Sequence, residues 1–486
     1  MSEKTIVNKD KTDNNIFKEP IKTNFKRNKY FSKKNLILSF IPVIICMDIY
    51  LIKTNPTVLE LNQKVEELKS KIENLGREVI PKKINIAFVY PHLCLNGISR
   101  YISILSDLLV KTGKYNVYII NDQKTDYDFY YNKKIKRVIQ TKDMKSIKDF
   151  DEENDIKIYI LNNDLSDIID IYHSLGKKVI GIFHGAFLSL IFSNEISLYQ
   201  LWKNFQKFDS FVHIIPDDYY IYKKYEFNNT IFILNPYTFE PKKTPNSPLI
   251  YKNILMVGMD NILKGAKYGV KAMPTILKEV PDAKLTILGV NPPQDLLYLI
   301  KELKLEDSVS LPGFSTNITE FYLNASVLLV TSVSESFPMV MNEGKAHGLP
   351  IVAFNIDYSP CYQNGVTTVK MFDYVSMAKE VIKLLKDYNY RDKKGEEAKL
   401  SLDNFIDNNG TISMWNRLFN SLINGTEEYK KFQKEVENKY YNEKLAKKHL
   451  KKHFNYGLQF NEYFRCHTFE EFTTLKYLNN IEACPV

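Results

Sequence analysis

The sequence predicts an α/β protein in which two doubly wound parallel-sheet domains face one another across a cleft. Short runs of Val, Ile and Leu without polar alternation recur along the chain, as in INIAFV (84–89), NILMV (253–257) and VLLV (327–330). Such runs suit strands buried on both faces, which is what a parallel sheet requires. Helical patterns lie between the runs, and β and α alternating at this spacing make crossover units. Finally, Asn235–Ile250 (NPYTFEPKKTPNSPLI) carries four prolines and no helical pattern, dividing the chain into two such series.

At 486 residues the chain has room for two core-bearing domains and appendages. Its 44% hydrophobic and 25% charged content is ordinary for a globular protein. Residues 1–34 hold ten Lys and Arg against four Asp and Glu, so most of the net charge of +9 sits in one tail. The remainder is near neutral, which argues against a nucleic-acid partner. The five cysteines (46, 94, 361, 466, 484) show neither metal-ligand spacing nor a dense disulfide framework. Cys466 and Cys484 alone could form a late disulfide; free thiols are the other reading.

Residues 1–34, polar and without periodicity, read as a disordered tail. Residues 35–52 follow as a membrane anchor. Their core, Leu36–Ile52, is 17 residues long, or about 26 Å as a helix against roughly 30 Å of hydrocarbon. Pro42 is tolerable there, and Asp48 lies near one end. No small-residue cleavage site follows, which separates it from a signal peptide; a buried core helix is the alternative. Seven Lys and Arg precede it within 17–34, placing the N-terminus in the cytoplasm. In the stem, 53–81, Leu61, Val65, Leu68, Ile72 and Leu75 repeat at 4-3-4-3 spacing. Two heptads do not decide between a homodimerising stem and a helix packed on the body.

The first α/β domain spans 82–240. Its strands are read at 84–89, 117–120, 156–161, 178–183, 211–215 and 231–234, with a helix at 217–225. Asn96-Gly97 opens the helix that follows the first strand. His184-Gly185 comes directly after the run 178–183, at the sheet's carboxyl edge; His92 is a weaker candidate, and His213 and His347 read as packing residues. A linker, 241–250, leads to the second Rossmann-like domain, 251–390. There the pattern gives helices at 267–278, 295–303 and 376–387, and strands at 253–257, 284–288, 309–311 and 368–369. Within 391–426, a helix around 411–422 is expected to cross back and brace the first domain. Residues 427–486 are a basic helix, 427–452, read as solvated or lying on an anionic membrane, then an aromatic-rich tail.

The stretch from Leu328 to Phe354 organises the rest. A buried strand, 327–330, is followed by a polar turn, a helix over Met339–His347, a Gly348-Leu349-Pro350 stop and a strand, 351–354. A βαβ unit of this kind has its ligand crevice beyond the strand's carboxyl end. Glu335 stands in the turn and Glu343 in the helix, eight residues on. The helix start offers free N–H groups to an anion or to sugar hydroxyls, and carboxylates facing the crevice can accept hydroxyl hydrogen bonds. Two glutamates eight apart also arise by chance, and a first-turn Glu suits the helix dipole alone. The neighbouring residues decide.

The pattern S-x-x-E-S-F-P-x4-E-x4-G-L-P-I-V-A-F, Ser332 to Phe354, closely resembles the E-x7-E signature of glycosyltransferase family 4, the retaining, nucleotide-sugar-dependent enzymes of GT-B fold. The resemblance covers roughly 83–422. It implies that Glu343 accepts hydrogen bonds from the nucleotide ribose and that Glu335 sits by the donor-sugar hydroxyls. Ser336 and the backbone N–H groups of Phe337, Pro338 and Met339 would border the sugar. Lys264 would neutralise the leaving diphosphate, with Gly258 beside it, and His184 would meet the sugar from the opposite domain. Gly97 falls where the family has a glycine-rich turn, although one glycine of the usual pair is missing.

One departure matters. Val257-Gly258 is followed by Met259 where the family carries an arginine, while Lys264-Gly265 is in place. Losing a bidentate arginine should weaken donor binding by about 1.5–3 kcal/mol unless Lys267 or Arg100 compensates. The implied substrate is a nucleotide-diphosphate sugar, UDP-linked, with a glycan-, lipid- or protein-linked acceptor; no cofactor and no metal is required. A silent relative that binds a nucleotide sugar or a partner enzyme is the competing reading, and nucleotide-sugar epimerisation a third. A cytoplasmic N-terminus puts the body in a Golgi or ER lumen in a eukaryote, where sequons at Asn228, Asn317, Asn324, Asn409 and Asn424 would be accessible. In a bacterium, donor supply demands the cytoplasmic membrane face.

Overall fold

The computed structural model describes residues 63–70, 83–91, 93–122, 129, 131–140, 142–163, 168–185, 204–215, 218–219, 222–223, 227–258, 264–289, 293–333, 335–356, 364–404, 407–440, 443–444, 447–448 and 451. The chain divides into two compact units, Met1–Lys82 and Lys83–Val486. In the first, 63–70 is helical, with Val65 exposed and Leu68 half-buried. The expected anchor at 35–52 and the other stem positions, Leu61, Ile72 and Leu75, lie outside the described residues. Among the described residues no helix is long and apolar enough to cross a membrane.

The second unit contains two parallel sheets. The first has the order β3-β2-β1-β4-β5-β6-β7. Its strands are β1 (Ile84–Val89), β2 (Tyr115–Asn121), β3 (Lys136–Ile139), β4 (Ile158–Asn162), β5 (Lys178–Ile182), β6 (Ser210–His213) and β7 (Thr230–Phe232). The second, β10-β9-β8-β11-β12-β13, comprises β8 (Asn253–Val257), β9 (Lys284–Leu288), β10 (Val309–Gly313), β11 (Val327–Val330), β12 (Ile351–Phe354) and β13 (Val366–Val369). Each order reverses direction at a central pair, β1/β4 and β8/β11, and such switch points open a crevice at the carboxyl ends of the strands. This two-sheet arrangement is the GT-B fold. The central strands β4 and β11 are buried at every position, which is why their sequences do not alternate.

Helix α1 (Gly97–Lys111) leaves β1, capped by Asn96, whose side chain accepts from Ser99 N. Helices α2 (Met144–Asn154) and α3 (Ile168–Ser174) follow in the first half. In the second half, α4 (Ala266–Glu279) follows β8, α5 (Gln294–Glu302) follows β9 and α6 (Ile318–Leu323) follows β10. Helix α7 (Met339–Ala346) then connects β11 to β12. After β13 come α8 (Tyr374–Lys386), α9 (Tyr388–Leu400), α10 (Asn408–Asn424) and α11 (Thr426–Tyr440). Proline inside a helix normally costs a hydrogen bond, yet Pro274 sits within α4 without ending it.

Helix α10 packs back on the first half. Trp415 is fully buried, Tyr115 Oη donates to Asn416 Oδ1 at 2.7 Å, and the Tyr115 and Phe419 rings meet edge to face. The expectation of a solvated helix at 427–452 is corrected over its first part, up to 440, while the described residues beyond, 443–444, 447–448 and 451, are exposed. Tyr429, Phe432 and Val436 are buried, and Gln433 Nε2 donates to the Thr230 carbonyl at 2.7 Å, so α11 covers the edge strand β7. An edge strand left open is a site for unwanted pairing; here a helix closes it. The apolar face is spaced i, i+3, i+7. The helix read at 217–225 is described only at 218–219 and 222–223, both helical. The aromatic-rich tail, with Cys466 and Cys484, lies outside the described residues.

Candidate functional site

Four turns at the carboxyl ends of the two sheets enclose a cavity of about 350 Å³. From the first sheet, the turn after β1 contributes Gly97 and Arg100, and the end of β5 contributes His184. From the second, the turn after β8 contributes Gly258 and Lys264, and the turn after β11 contributes Glu335, Ser336, Phe337, Pro338, Met339 and Glu343. Every site residue inferred from sequence therefore lines one cavity, including residues more than two hundred positions apart. Met259 and His92 lie outside the described residues.

The β8–α4 turn is shaped by glycine. Gly265 caps α4 at φ 63°, a left-handed conformation, and a Cβ there would meet the Thr331 carbonyl at 2.6 Å. Thr331 Oγ1 donates to the Lys264 carbonyl at 2.8 Å, tying this turn to the end of β11. Lys264 Nζ is thereby held against Glu335 as an ion pair. Gly97 differs from expectation. It is the first residue of α1, needs no special φ, and its missing Cβ would meet nothing within 4 Å, so its contribution is open space.

Glu343 lies in the second turn of α7 and is 2% exposed. A buried carboxylate needs partners. Tyr322 Oη donates to its Oε2 at 2.7 Å, and Arg100 Nε lies 2.9 Å from its Oε1. Burial first, and then the Glu343 charge, raise the Tyr322 pKa well above its ordinary value, so that hydroxyl keeps its proton. The Arg100–Glu343 pair joins the two halves. Helix α7 begins with Pro338 as a cap that makes no side-chain hydrogen bond. Proline has no N–H, so the N–H groups expected from Phe337–Met339 reduce to those of Phe337 and Met339, with Val340 beside them.

His184 is held from its own side of the cleft. Its backbone N–H donates to Asn163 Oδ1 at 2.7 Å, and its Nε2 lies 3.0 Å from Asn162 Oδ1. Asn162 Nδ2 is committed to the carbonyls of Val89 and Ile160, so its Oδ1 can only accept. His184 Nε2 therefore carries the proton. Burial lowers the imidazole pKa to about 3, leaving a neutral ring whose Nδ1 is a hydrogen-bond acceptor. Tyr101 packs edge-on against that ring, and Ser336 Oγ donates to the His184 carbonyl across the cleft.

His213 and His347 are packing residues, the first buried on β6 among Phe211, Tyr219 and Tyr222, the second stacked on Tyr322. Sequence reasoning missed Asn162 and Asn163, which orient His184, and Tyr322, which holds Glu343. It also missed Asn235, which lines the cavity and whose buried Oδ1 has no hydrogen-bond partner among the described residues. Its place directly after the run 231–234 was the available signal. Among the described residues no three His, Cys, Asp or Glu side chains converge as a metal site would require.

Residues 239–401 match the family model of the glycosyl transferases group 1. An uncharacterized glycosyltransferase of Haemophilus influenzae is 37% identical over 134 residues, 27% of this chain and 38% of that protein. This chain spans about two fifths or less of the first curated relatives it matches. Among solved structures, sucrose-phosphate synthase of Thermosynechococcus elongatus superposes with a TM-score of 0.60 at 16% identity, covering 71% of this chain and 100% of that one. The Anabaena protein HepE, in complex with UDP and glucose, superposes with a TM-score of 0.56 at 13% identity, covering 70% of this chain and 99% of that one. At these identities the structures establish the fold.

Proposed function

We propose that this chain is a membrane-anchored retaining glycosyltransferase that moves a sugar from a nucleoside-diphosphate sugar, UDP-linked, to a glycan-, lipid- or protein-linked acceptor. One observation carries the reading: Glu335, Glu343, Lys264 and His184, drawn from the connections after β11, β8 and β5, line a single cavity at the carboxyl ends of both sheets. The second-half residues among them fall within the stretch that matches the glycosyl transferases group 1.

In this reading Glu343 takes the ribose hydroxyls, and Glu335 takes donor-sugar hydroxyls beside the free N–H groups at the start of α7. His184 Nδ1 accepts a sugar hydroxyl from the facing domain. Lys264 moves from Glu335 to the diphosphate and stabilises the charge that builds on it, since preorganised charge is the largest contribution in such transfers. The bond from the anomeric carbon to the phosphate oxygen breaks as a bond to the acceptor oxygen forms on the same face. The acceptor proton passes to the leaving phosphate, so no separate base is called for. Closure of the two halves excludes water from the oxocarbenium-like centre. The apolar run 36–52 supports the anchor, and protease protection on sealed membranes tests which side holds the body.

The experiment is incubation of the full-length chain with UDP-, GDP- and ADP-sugars, following nucleoside-diphosphate release with membrane or glycan acceptors present. Donor turnover that is lost in Glu335→Gln and Lys264→Ala supports transfer. Donor binding without turnover in the unmodified chain overturns it in favour of a binding protein.

A further inference from the structure

We propose that Arg100 is a displaceable partner of Glu343: a nucleoside diphosphate exchanges the Arg100–Glu343 pair for one contact of Glu343 with the ribose diol and one of Arg100 with the diphosphate. The inference rests on the donor-site reading above and assigns the first half of the molecule a direct part in holding the donor.

Both Glu343 oxygens are occupied, Oε2 by Tyr322 and Oε1 by Arg100. A diol that seeks this carboxylate has to displace one of them. Tyr322 has nowhere to go: it is fully buried, its ring stacks on His347, and its hydroxyl needs an acceptor. Arg100 has a way out. Its side chain is 20% exposed and lines the cavity, with its guanidinium over the Phe129 ring. The 2.9 Å approach also lacks hydrogen-bond alignment, since among the described residues neither Arg100 Nε nor Glu343 Oε1 has a hydrogen-bond partner. Giving up such a contact costs less than giving up a well-formed bidentate pair.

Charge points the same way. Among the described residues, Arg100 and Lys264 are the Lys and Arg side chains lining the cavity, and each faces a carboxylate, Glu343 and Glu335. The four charges cancel. A diphosphate adds negative charge that the lysine alone meets as a point charge, whereas a guanidinium can take two phosphate oxygens at once. The diol and the diphosphate of one nucleotide then satisfy both halves of the exchange.

The test compares nucleoside diphosphates with their nucleosides on the full-length chain. Binding of UDP, GDP and ADP, and of uridine, guanosine and adenosine, is measured by calorimetry for the unmodified chain, R100Q and R100K, with thermal unfolding as the check on folding. For whichever diphosphate binds the unmodified chain, R100Q should weaken it ten-fold or more while leaving the nucleoside equal or tighter, because Glu343 has lost its competitor. R100K should fall between for the diphosphate. Equal weakening of nucleoside and diphosphate overturns the exchange and leaves Arg100 as a brace for Glu343; no change in either also overturns it. Failure of all three diphosphates to bind the unmodified chain overturns the donor-site reading itself, and this proposal with it.

Discussion

The two sheets share an arrangement yet hold their parts of the cleft differently. On the second sheet, the turns after β8 and β11 brace one another: Thr331 ties down Lys264, and Lys264 pairs with Glu335. On the first, His184 is set by Asn162 and Asn163 at the end of β4, while the sheet itself leans on α10 and α11 from the far end of the chain. The gripping side is thus braced turn against turn within its own sheet, and the facing side is propped by helices from the far end of the chain. Substitutions in the two regions should separate accordingly.

The largest effect should come from the joint between them. Arg391 in α9 is buried and donates Nε and Nη2 to the Leu249 carbonyl at 2.9 and 2.6 Å, and Nη1 to the carbonyls of Leu384 and Leu385. Leu249 itself is held at φ 56°. Arg391→Met strips these carbonyls of their donor, and breaking a buried charged network of this kind costs about 3–5 kcal/mol. Urea denaturation of the full chain reads it. A loss near zero would mean that the linker is held by something other than α9.

Next is the gripping side. Lys264→Ala or Glu335→Gln should lower donor turnover by about 10²–10³-fold, or about 2.7–4 kcal/mol of transition-state stabilisation. Stability should hardly move, because the Lys264 side chain is 36% exposed and an ion pair that open is worth about 0–1 kcal/mol. Turnover and melting temperature measured on one preparation separate the two. Equal losses in both would show that the pair is structural.

An intermediate effect belongs to the facing side and depends on pH. Burial holds the His213 imidazole at about 3, against 6.5 for the free side chain. Its folded pKa is depressed, so the unfolded chain takes up the proton first. The contribution to stability is complete above pH 6.5 and is lost as pH falls toward 3. Each such histidine can contribute up to about 1.4 kcal/mol per pH unit in that window, and His184 acts with the same sign. His213→Phe should therefore flatten the acid limb of the stability curve by up to one proton. An unchanged slope would show that His213 is not buried as a neutral ring.

The same contrast governs what the sequence discloses. Strands 284–288, 327–330 and 351–354 are found where their apolar runs place them, because each is a short run closed by Gly, Pro or polar residues. The edge strand β3, KRVI, has no such run and pairs on one side only. Helix α9 shows almost no apolar stripe and is fixed instead by Arg391, Gly395 and Ala398. Glu335 and Glu343 are legible because one short pattern contains both, and Lys264 because Val257-Gly258 and Lys264-Gly265 form a second one. The partners of Glu343, Arg100 and Tyr322, come from distant segments, and nothing local marks them. Arg100 entered the sequence argument only as a substitute cation, and its contact with Glu343 is a product of the fold.

The smallest effect should arise where a late helix props the first sheet. Tyr429 Oη lies 2.8 Å from Ser210 Oγ and 2.7 Å from the Asn229 carbonyl, linking α11 to β6 and to the turn before β7. That carbonyl also accepts from Phe211 N at 2.8 Å, so removing the hydroxyl does not orphan it. Tyr429→Phe keeps the buried ring but removes the hydroxyl's contacts with Ser210 Oγ, the Asn229 carbonyl and Gln433 Nε2, a cost of about 1–2 kcal/mol. Donor turnover should be unchanged, because α11 stands on the far edge of the sheet, at β7, rather than at the cleft. A drop in turnover at constant stability would show that the outer edge of the first sheet is coupled to His184, and the facing side would then be as dependent on its props for function as for folding.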